Sequence, residues 1–391
     1  MVILFTQRTD LSMNPLSQQY LPTGVRSRFV PDVNGATFHI LESGHETPGR
    51  PLLLLIHGFP ELAYSWRKIM VPLAQAGYHV IAPDVRGYGR SSGSEVKYND
   101  DLRPFSALNK IHDMLALVMA LGYHSVAAVI GHDQGSPLAG WCALTRPDVF
   151  KSVVMMSSPF RGGPESLPFN TANVPAEPPR PLTINEDMAK LKPPRKYYMN
   201  YYATEPANEN IWHPKQGLHD FLRAYYHMKS ADWEQNKPFP LKALIASEWE
   251  KLPRYYVMDL ECGMAESVAP EMPTPEQINA CTWLPDSELK VYTEEYARTG
   301  FQGGLQGYRR NPGDKDLAVF AGCTINVPAM FMGGKSDWGV YQTPGGLERV
   351  EQRLCSNYQG TVLVDGAGHW VQQEQPEKVS QILIEFIRRN G

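Results

Sequence analysis

Cysteine is scarce in this sequence and scattered. Cys142, Cys262, Cys281, Cys323 and Cys355 are odd in number, far apart and free of any CxxC pair. That spacing argues against a disulfide framework and a zinc site, and it predicts a reducing compartment, read here as the cytoplasm. An excess of positive charge is missing too. The 37 Lys and Arg face 41 Asp and Glu, for a formal net charge of -4, and no basic run occurs. Neither nucleic acid nor an anionic membrane surface finds an electrostatic footprint, so the expected partner is a small molecule. Long apolar runs are also lacking at the N-terminus. The stretch at residues 2–5 has no basic region ahead of it and is too short for a signal peptide core or a bilayer span, so no membrane anchor is expected. Internal repeats and low-complexity tracts are absent as well.

What remains is an ordinary globular composition over 391 residues, 42% of them hydrophobic, enough for one large domain or a domain with an insertion. Residues 51–56, PLLLLI, read as a buried parallel strand that ends in HGFP. A helix over residues 66–76, a strand over 78–83 and the loop DVRGYGRSSG continue a βαβ pattern. Residues 106–121 carry apolar side chains at helical spacing, and the strand at 125–130 runs straight into GHDQGS. A helix at 137–144 and a strand at 153–156 follow. From residue 161 to about 310 strand signals fade and Pro, Tyr and Trp rise, with helices at 217–228 and 287–298. Strands return at 327–332 and 361–364, and an amphipathic helix over 376–389 closes the chain. The division predicted is an α/β core at 1–160 and 311–391, interrupted by a helical cap at 161–310, with residues 1–24 an N-terminal extension.

Gly131-His132-Asp133-Gln134-Gly135 has the form Gly-x-nucleophile-x-Gly between a strand and a helix. Small residues there permit the sharp turn that lifts the central side chain above the sheet. The central residue is Asp133, and that changes the reaction. An ionised carboxylate needs no base and displaces a leaving group at saturated carbon directly, forming an enzyme ester. A His must then deprotonate water to cleave the ester, and an acid must orient that His. Both follow in chain order: Asp337 in GGKSDW and His369 in GAGHW, each just beyond a strand. The backbone N–H groups of Phe59, in HGFP, and of Gln134 are placed to form an oxyanion hole for the ester carbonyl.

With these residues in place, the chain resembles the soluble epoxide hydrolases of the α/β-hydrolase superfamily from about Val25 to its end. HGFPELAYSWR, APDVRGYGRSS, GHDQGS, EYARTGFQGGLQGYRR and GHWVQQEQPEKVSQIL carry the resemblance in the family's order. It implies an α/β-hydrolase fold with a mostly parallel eight-stranded sheet, a small hydrophobic epoxide and water as reactants, and no cofactor. It also implies two cap tyrosines that hydrogen-bond and protonate the epoxide oxygen. Tyr308, in LQGYRR, matches one of them. The other belongs in YYMNYYATEP, where Tyr198 matches best, with Tyr197, Tyr201 and Tyr202 as alternatives. A phenol suits that role because it stays protonated at neutral pH yet donates to a developing alkoxide. The chain departs from the family at Gln134, where Trp commonly follows the nucleophile.

Plainer readings stand beside these. Asp133, Asp337 and His369 singly are commoner as structural polar groups, and only their joint placement makes the chemical case. Ser91 sits in a formal Gly-x-Ser-x-Gly, residues 89–93, but no strand leads into it, so it reads as a turn. His213, His219 and His227 do not share a helical face with acids at ligand spacing, so no metal site is expected. Phe59, Phe160, Trp338 and Trp370 are candidates for the pocket wall, although aromatic residues more often serve as core packing. Two rival functions remain at this stage. A haloalkane or haloacid dehalogenase uses the same nucleophile, and a ligand receptor on the hydrolase fold needs no triad.

Overall fold

The computed structural model describes residues 14–164 and 184–390. The run at residues 2–5, much of the expected N-terminal extension and residues 165–183 of the expected cap lie outside the described residues. The described residues form ten strands: β1 Val25–Val33, β2 Ala36–Ser43, β3 Leu52–Ile56, β4 His79–Pro83, β5 Ala128–His132, β6 Val153–Met156, β7 Arg195–Tyr197, β8 Val257–Asp259, β9 Ala329–Gly334 and β10 Tyr358–Val364. Eight of them form one sheet in the order β1-β2-β4-β3-β5-β6-β9-β10. The pairings β1–β2 and β2–β4 are antiparallel. All pairings from β4 onward are parallel. This is the mostly parallel eight-stranded α/β-hydrolase sheet.

The central strands β3 and β5 are buried at every position, because helices cover both faces of a parallel sheet. Three core helices pack on it: α1 Arg67–Gln75, α2 Ala107–Ala120 and α3 Gly135–Thr145. Ser106 caps α2, its Oγ accepting the Asn109 N–H at 3.2 Å. The hairpin β1–β2 has no counterpart in the sequence reading. Its first strand is an edge with Pro31, two arginines and a mixed burial pattern, which hides the alternation a strand would show.

Between β6 and β9 the described residues build mostly helices, among them Leu218–Lys229 and Asp286–Thr299. The short antiparallel ribbon β7–β8 lies in this stretch, where no strand was expected; three-residue strands are too brief to show a period. The segment is anchored on loops that follow the core strands. Tyr226 donates its hydroxyl to the Pro60 carbonyl at 3.1 Å, Tyr296 to the Glu61 carbonyl at 3.1 Å, and Arg67 pairs with Glu288. Gly303 touches the loop after β4 so closely that a Cβ there would lie 2.0 Å from the Gly87 carbonyl. No helix among the described residues is long and apolar enough to cross a membrane.

Candidate active site

Asp133 follows β5 directly and adopts φ +50° before α3 begins at Gly135. For a non-glycine residue this left-handed conformation costs roughly 1–2 kcal/mol, and Asp tolerates it better than most. Space dictates the flanking glycines. A Cβ on Gly131 would meet the Gly135 carbonyl at 2.0 Å, and one on Gly135 the Ile56 carbonyl at 2.1 Å. The turn thus closes tightly between β5, α3 and β3, and the carboxylate projects beyond the strand ends.

HGFP aims a donor at that carboxylate. His57 accepts the Val85 N–H at Nε2, 2.9 Å, which leaves its proton on Nδ1, donated to the Gly58 carbonyl at 2.8 Å. Burial lowers the His57 pKa, in keeping with this neutral form. Because C=O and N–H of a trans peptide point opposite ways, a Gly58 carbonyl turned to His57 turns the Phe59 N–H to Asp133. That N–H reaches Asp133 Oδ1 at 2.9 Å. The Gln134 backbone nitrogen adjoins the same loop, 2.8 Å from where a Gly58 Cβ would stand.

His369 brings its Nε2 to 3.4 Å from Asp133 Oδ2, while its Nδ1 lies 3.1 Å from Asp337 Oδ1. The ring is set by its backbone as well. The His369 N–H donates to the Lys229 carbonyl at 2.8 Å, and its carbonyl accepts from His132 Nε2 at 2.7 Å. Asp337 Oδ1 also accepts the Gly339 N–H at 2.7 Å. Burial by itself would raise both carboxyls. For Asp133 the hydrogen bond and charge of His369, with Lys229 and His132 behind them, outweigh burial and hold it well below the usual carboxylate range. For Asp337 the facing His369 does the same, so its pKa is also lowered.

A cavity of about 300 Å³ opens on Asp133 and is lined by Tyr198 and Tyr308 among others. Their rings lie 6.1 Å apart. Burial raises both phenols well above 10, with the Asp133 carboxylate adding to the shift. The other candidate tyrosines sit elsewhere. Tyr197 packs on Trp249 at 4.4 Å, Tyr201 takes the Lys196 ammonium over its ring at 4.8 Å, and Tyr202 backs Phe59 and Tyr308 at 5.2 and 5.0 Å. The ribbon missing from the sequence reading orients Tyr198, whose N–H donates to the Tyr256 carbonyl at 2.9 Å.

Phe160 lines the cavity, but three of the expected wall residues do not. The Phe59 side chain packs behind Tyr308 at 5.5 Å, Trp338 faces Phe239 at 5.0 Å, and Trp370 is fully buried against Tyr226 at 4.3 Å. Burying these rings among other rings gains more apolar contact than exposing them to a cavity. The wall includes Trp141, Leu138 and Met199 instead, with Gln134, Gln342 and Arg161 among its polar members. Gln134 is pinned by the Tyr88 hydroxyl, which donates to its Oε1 at 3.1 Å. Ser91 lies apart from all this in a turn, donating to the Asp84 carbonyl at 2.6 Å.

Two supporting acidic residues escaped the sequence reading: Glu61, and Glu374, whose carboxyl pKa is pushed up to about 8 by burial. Glu61, directly after HGFP, accepts from His132 Nδ1 at 2.5 Å, and both side chains are fully buried. His132 Nε2 donates to the His369 carbonyl, and the opposite shifts of the two partners, His132 up and Glu61 down, favour an ion pair at Nδ1. Burial alone would lower the His132 pKa, but attraction to Glu61 raises it; Glu61 is in turn lowered despite its burial. Glu374 accepts the N–H groups of Ala231, Gly368 and Trp370 at 2.8, 2.9 and 2.9 Å, bracketing His369.

Comparison with known proteins agrees with this geometry. Residues 51–376 match the family described as the alpha/beta hydrolase fold. Epoxide hydrolase B of Mycobacterium tuberculosis is 31% identical over 363 residues, covering 90% of this chain and 96% of that protein. Epoxide hydrolase A of the same organism is 32% identical over 357 residues, covering 91% and 95%. Among solved structures, an epoxide hydrolase from an endophytic Streptomyces superimposes with a TM-score of 0.73 at 29% identity, covering 94% of this chain and 96% of that one. Potato (Solanum tuberosum) epoxide hydrolase I gives 0.68 at 26% identity, with 93% and 99% covered. By fold, by sequence over nearly its whole length and by the frame built around Asp133, the chain belongs to the epoxide hydrolase family of the α/β-hydrolase fold.

Proposed function

We propose that this enzyme converts an epoxide to a vicinal diol through a covalent ester on Asp133. The observation that carries the reading is the pairing of Asp133 Oδ1 with the Phe59 N–H at 2.9 Å while Oδ2 faces His369 Nε2 at 3.4 Å. One oxygen is held as the future carbonyl, and the other is free to attack. In the first step Oδ2 bonds to an epoxide carbon, the ring C–O bond breaks, and the oxygen takes a proton from the pair Tyr308 and Tyr198. Their raised pKa values suit donors that must remain protonated until an alkoxide develops. In the second step His369, oriented by Asp337, takes a proton from water as that water adds to the Asp133 carbonyl carbon. Phe59 and Gln134 N–H groups receive the oxyanion. The tetrahedral intermediate then expels the diol oxygen, which is protonated by His369, and the proton left on the Asp133 carboxyl returns to the tyrosinate formed in the first step, restoring the carboxylate and the phenol.

The reading includes a division into a core, residues 1–160 and 311–391, and a cap, residues 161–310. The sheet runs on from β6 to β9 around the intervening helices, and that continuity supports it. The cap supplies both tyrosines and the core supplies Asp133, Asp337 and His369.

The test is intact-protein mass after mixing with an epoxide, using wild type and His369→Gln. The variant should accumulate one epoxide mass, located on the peptide that contains Asp133. No adduct would overturn the ester. An adduct only from a chloroalkane, with halide released, would make the enzyme a dehalogenase. Tight binding without product would make it a receptor.

A further inference from the structure

Lys229 is the last residue of the helix Leu218–Lys229 and is 3% exposed. Its ammonium lies over four aromatic faces: Tyr225 at 5.3 Å, Tyr255 at 5.8 Å, Tyr256 at 5.4 Å and Trp370 at 5.3 Å. Among the described residues no carboxylate forms an ion pair with it. Ring faces stabilise a cation only partly, so burying an ammonium here remains costly where an apolar side chain of the same length would pack freely. The location gives that cost a purpose. The Lys229 carbonyl holds the His369 N–H at 2.8 Å, and the charge of Lys229 acts on Asp133, helping to offset the burial that raises its carboxyl.

The charge on Asp133 changes at each step of the proposed reaction: negative in the free enzyme, neutral in the ester, negative again in the tetrahedral intermediate. A fixed cation nearby opposes the first change and favours the second. We propose that Lys229 is a positioning residue for the ester-cleavage step, its caged ammonium drawing negative charge back onto Asp133 at the expense of the alkylation step. The proposal rests on the covalent mechanism above. It adds that the two half-reactions respond to one side chain in opposite directions.

Removing the charge while keeping the bulk tests it. In Lys229→Met, rapid-quench mass measurements on the full chain should find ester cleavage slowed roughly tenfold to fiftyfold, as expected for one charge acting over several ångströms at an effective dielectric near 20. Ester formation should be faster, and an unchanged rate would overturn the claim that the two half-reactions respond in opposite directions. Ester then accumulates, so kcat and KM fall together. Lys229→Arg, which keeps the charge, should cleave the ester within a few-fold of wild type. Lys229→Gln serves as a second neutral variant if Lys229→Met does not fold. Loss of both half-reactions to the same degree would reduce Lys229 to a structural part and overturn the inference. So would unchanged cleavage in a neutral variant, or an Arg variant as slow as the neutral ones. Failure of the mechanism itself looks different: with His369→Gln, no ester would form whatever residue occupies position 229.

Discussion

Tyr308 and Tyr198 line the same cavity as Asp133, in a setting where burial holds both phenols protonated. A proton donor acts only where charge develops, and in the proposed reaction that is the epoxide oxygen during ring opening. Tyr308→Phe should therefore slow ester formation by about 10²-fold, the ordinary worth of one general acid, and leave ester cleavage alone. Single-turnover mass measurements separate the two rates. An unchanged first step would remove Tyr308 from the mechanism. The same scale explains Gln134. With its Oε1 held by Tyr88, it is a polar member of the cavity wall, whereas Phe160 and Trp141 are apolar ones.

At the scale of elements, the site is a set of strand ends and the loops that leave them. Asp133 follows β5, Asp337 follows β9, and His369 lies in the loop after β10, so the parallel order of β5, β6, β9 and β10 brings their exits to one edge. The His369 loop needs a clamp of its own, and Glu374 provides it through three backbone N–H groups, one of them on Ala231 of the inserted segment. Glu374→Ala leaves those donors without their acceptor, at a cost of about 1–3 kcal/mol, and loosens the loop. Urea unfolding should register the lost stability, and kcat should fall with it. Wild-type kcat in the folded variant would show that the loop holds His369 unaided.

Across the whole molecule, the buried pair of His132 and Glu61 ties the HGFP loop, the end of β5 and the His369 loop into one unit. Its stability depends on pH in a definite sense. The raised His132 pKa stabilises the fold fully below the ordinary 6.5, and this is lost as pH rises through the folded value. The lowered Glu61 pKa contributes fully above the ordinary 4.5 and is lost as pH falls through its folded value. The pair is therefore worth most between those two values. Glu61→Gln should cost about 3 kcal/mol near pH 6. The loss should shrink as the pH of the measurement rises above the ordinary 6.5 and through the raised folded value of His132. A loss that does not change with pH would show that the charges are not what matters.

Much of this was legible in the sequence because it is local. The runs LLLLI and VVMM read as buried strands, Gly131 and Gly135 marked the turn, and the order Asp133, Asp337, His369 followed the strands that carry them. The identity of Asp133 by itself pointed to an ester, since a carboxylate attacks carbon without a base. Other features waited on packing. Tyr198 is singled out from its neighbours by a three-residue ribbon that leaves no period in the sequence. Trp338 and Trp370 flank the expected acid and base yet turn away from the cavity, because ring neighbours distant in the chain bury them. Lys229 would pass for an ordinary helix-end lysine until four rings, from three separate segments, close around it. The sequence determined the kind of chemistry, which depends on which groups are present and in what order. The tertiary structure decided which tyrosines, walls and charges meet Asp133, because burial and electric field are set by residues far away along the chain.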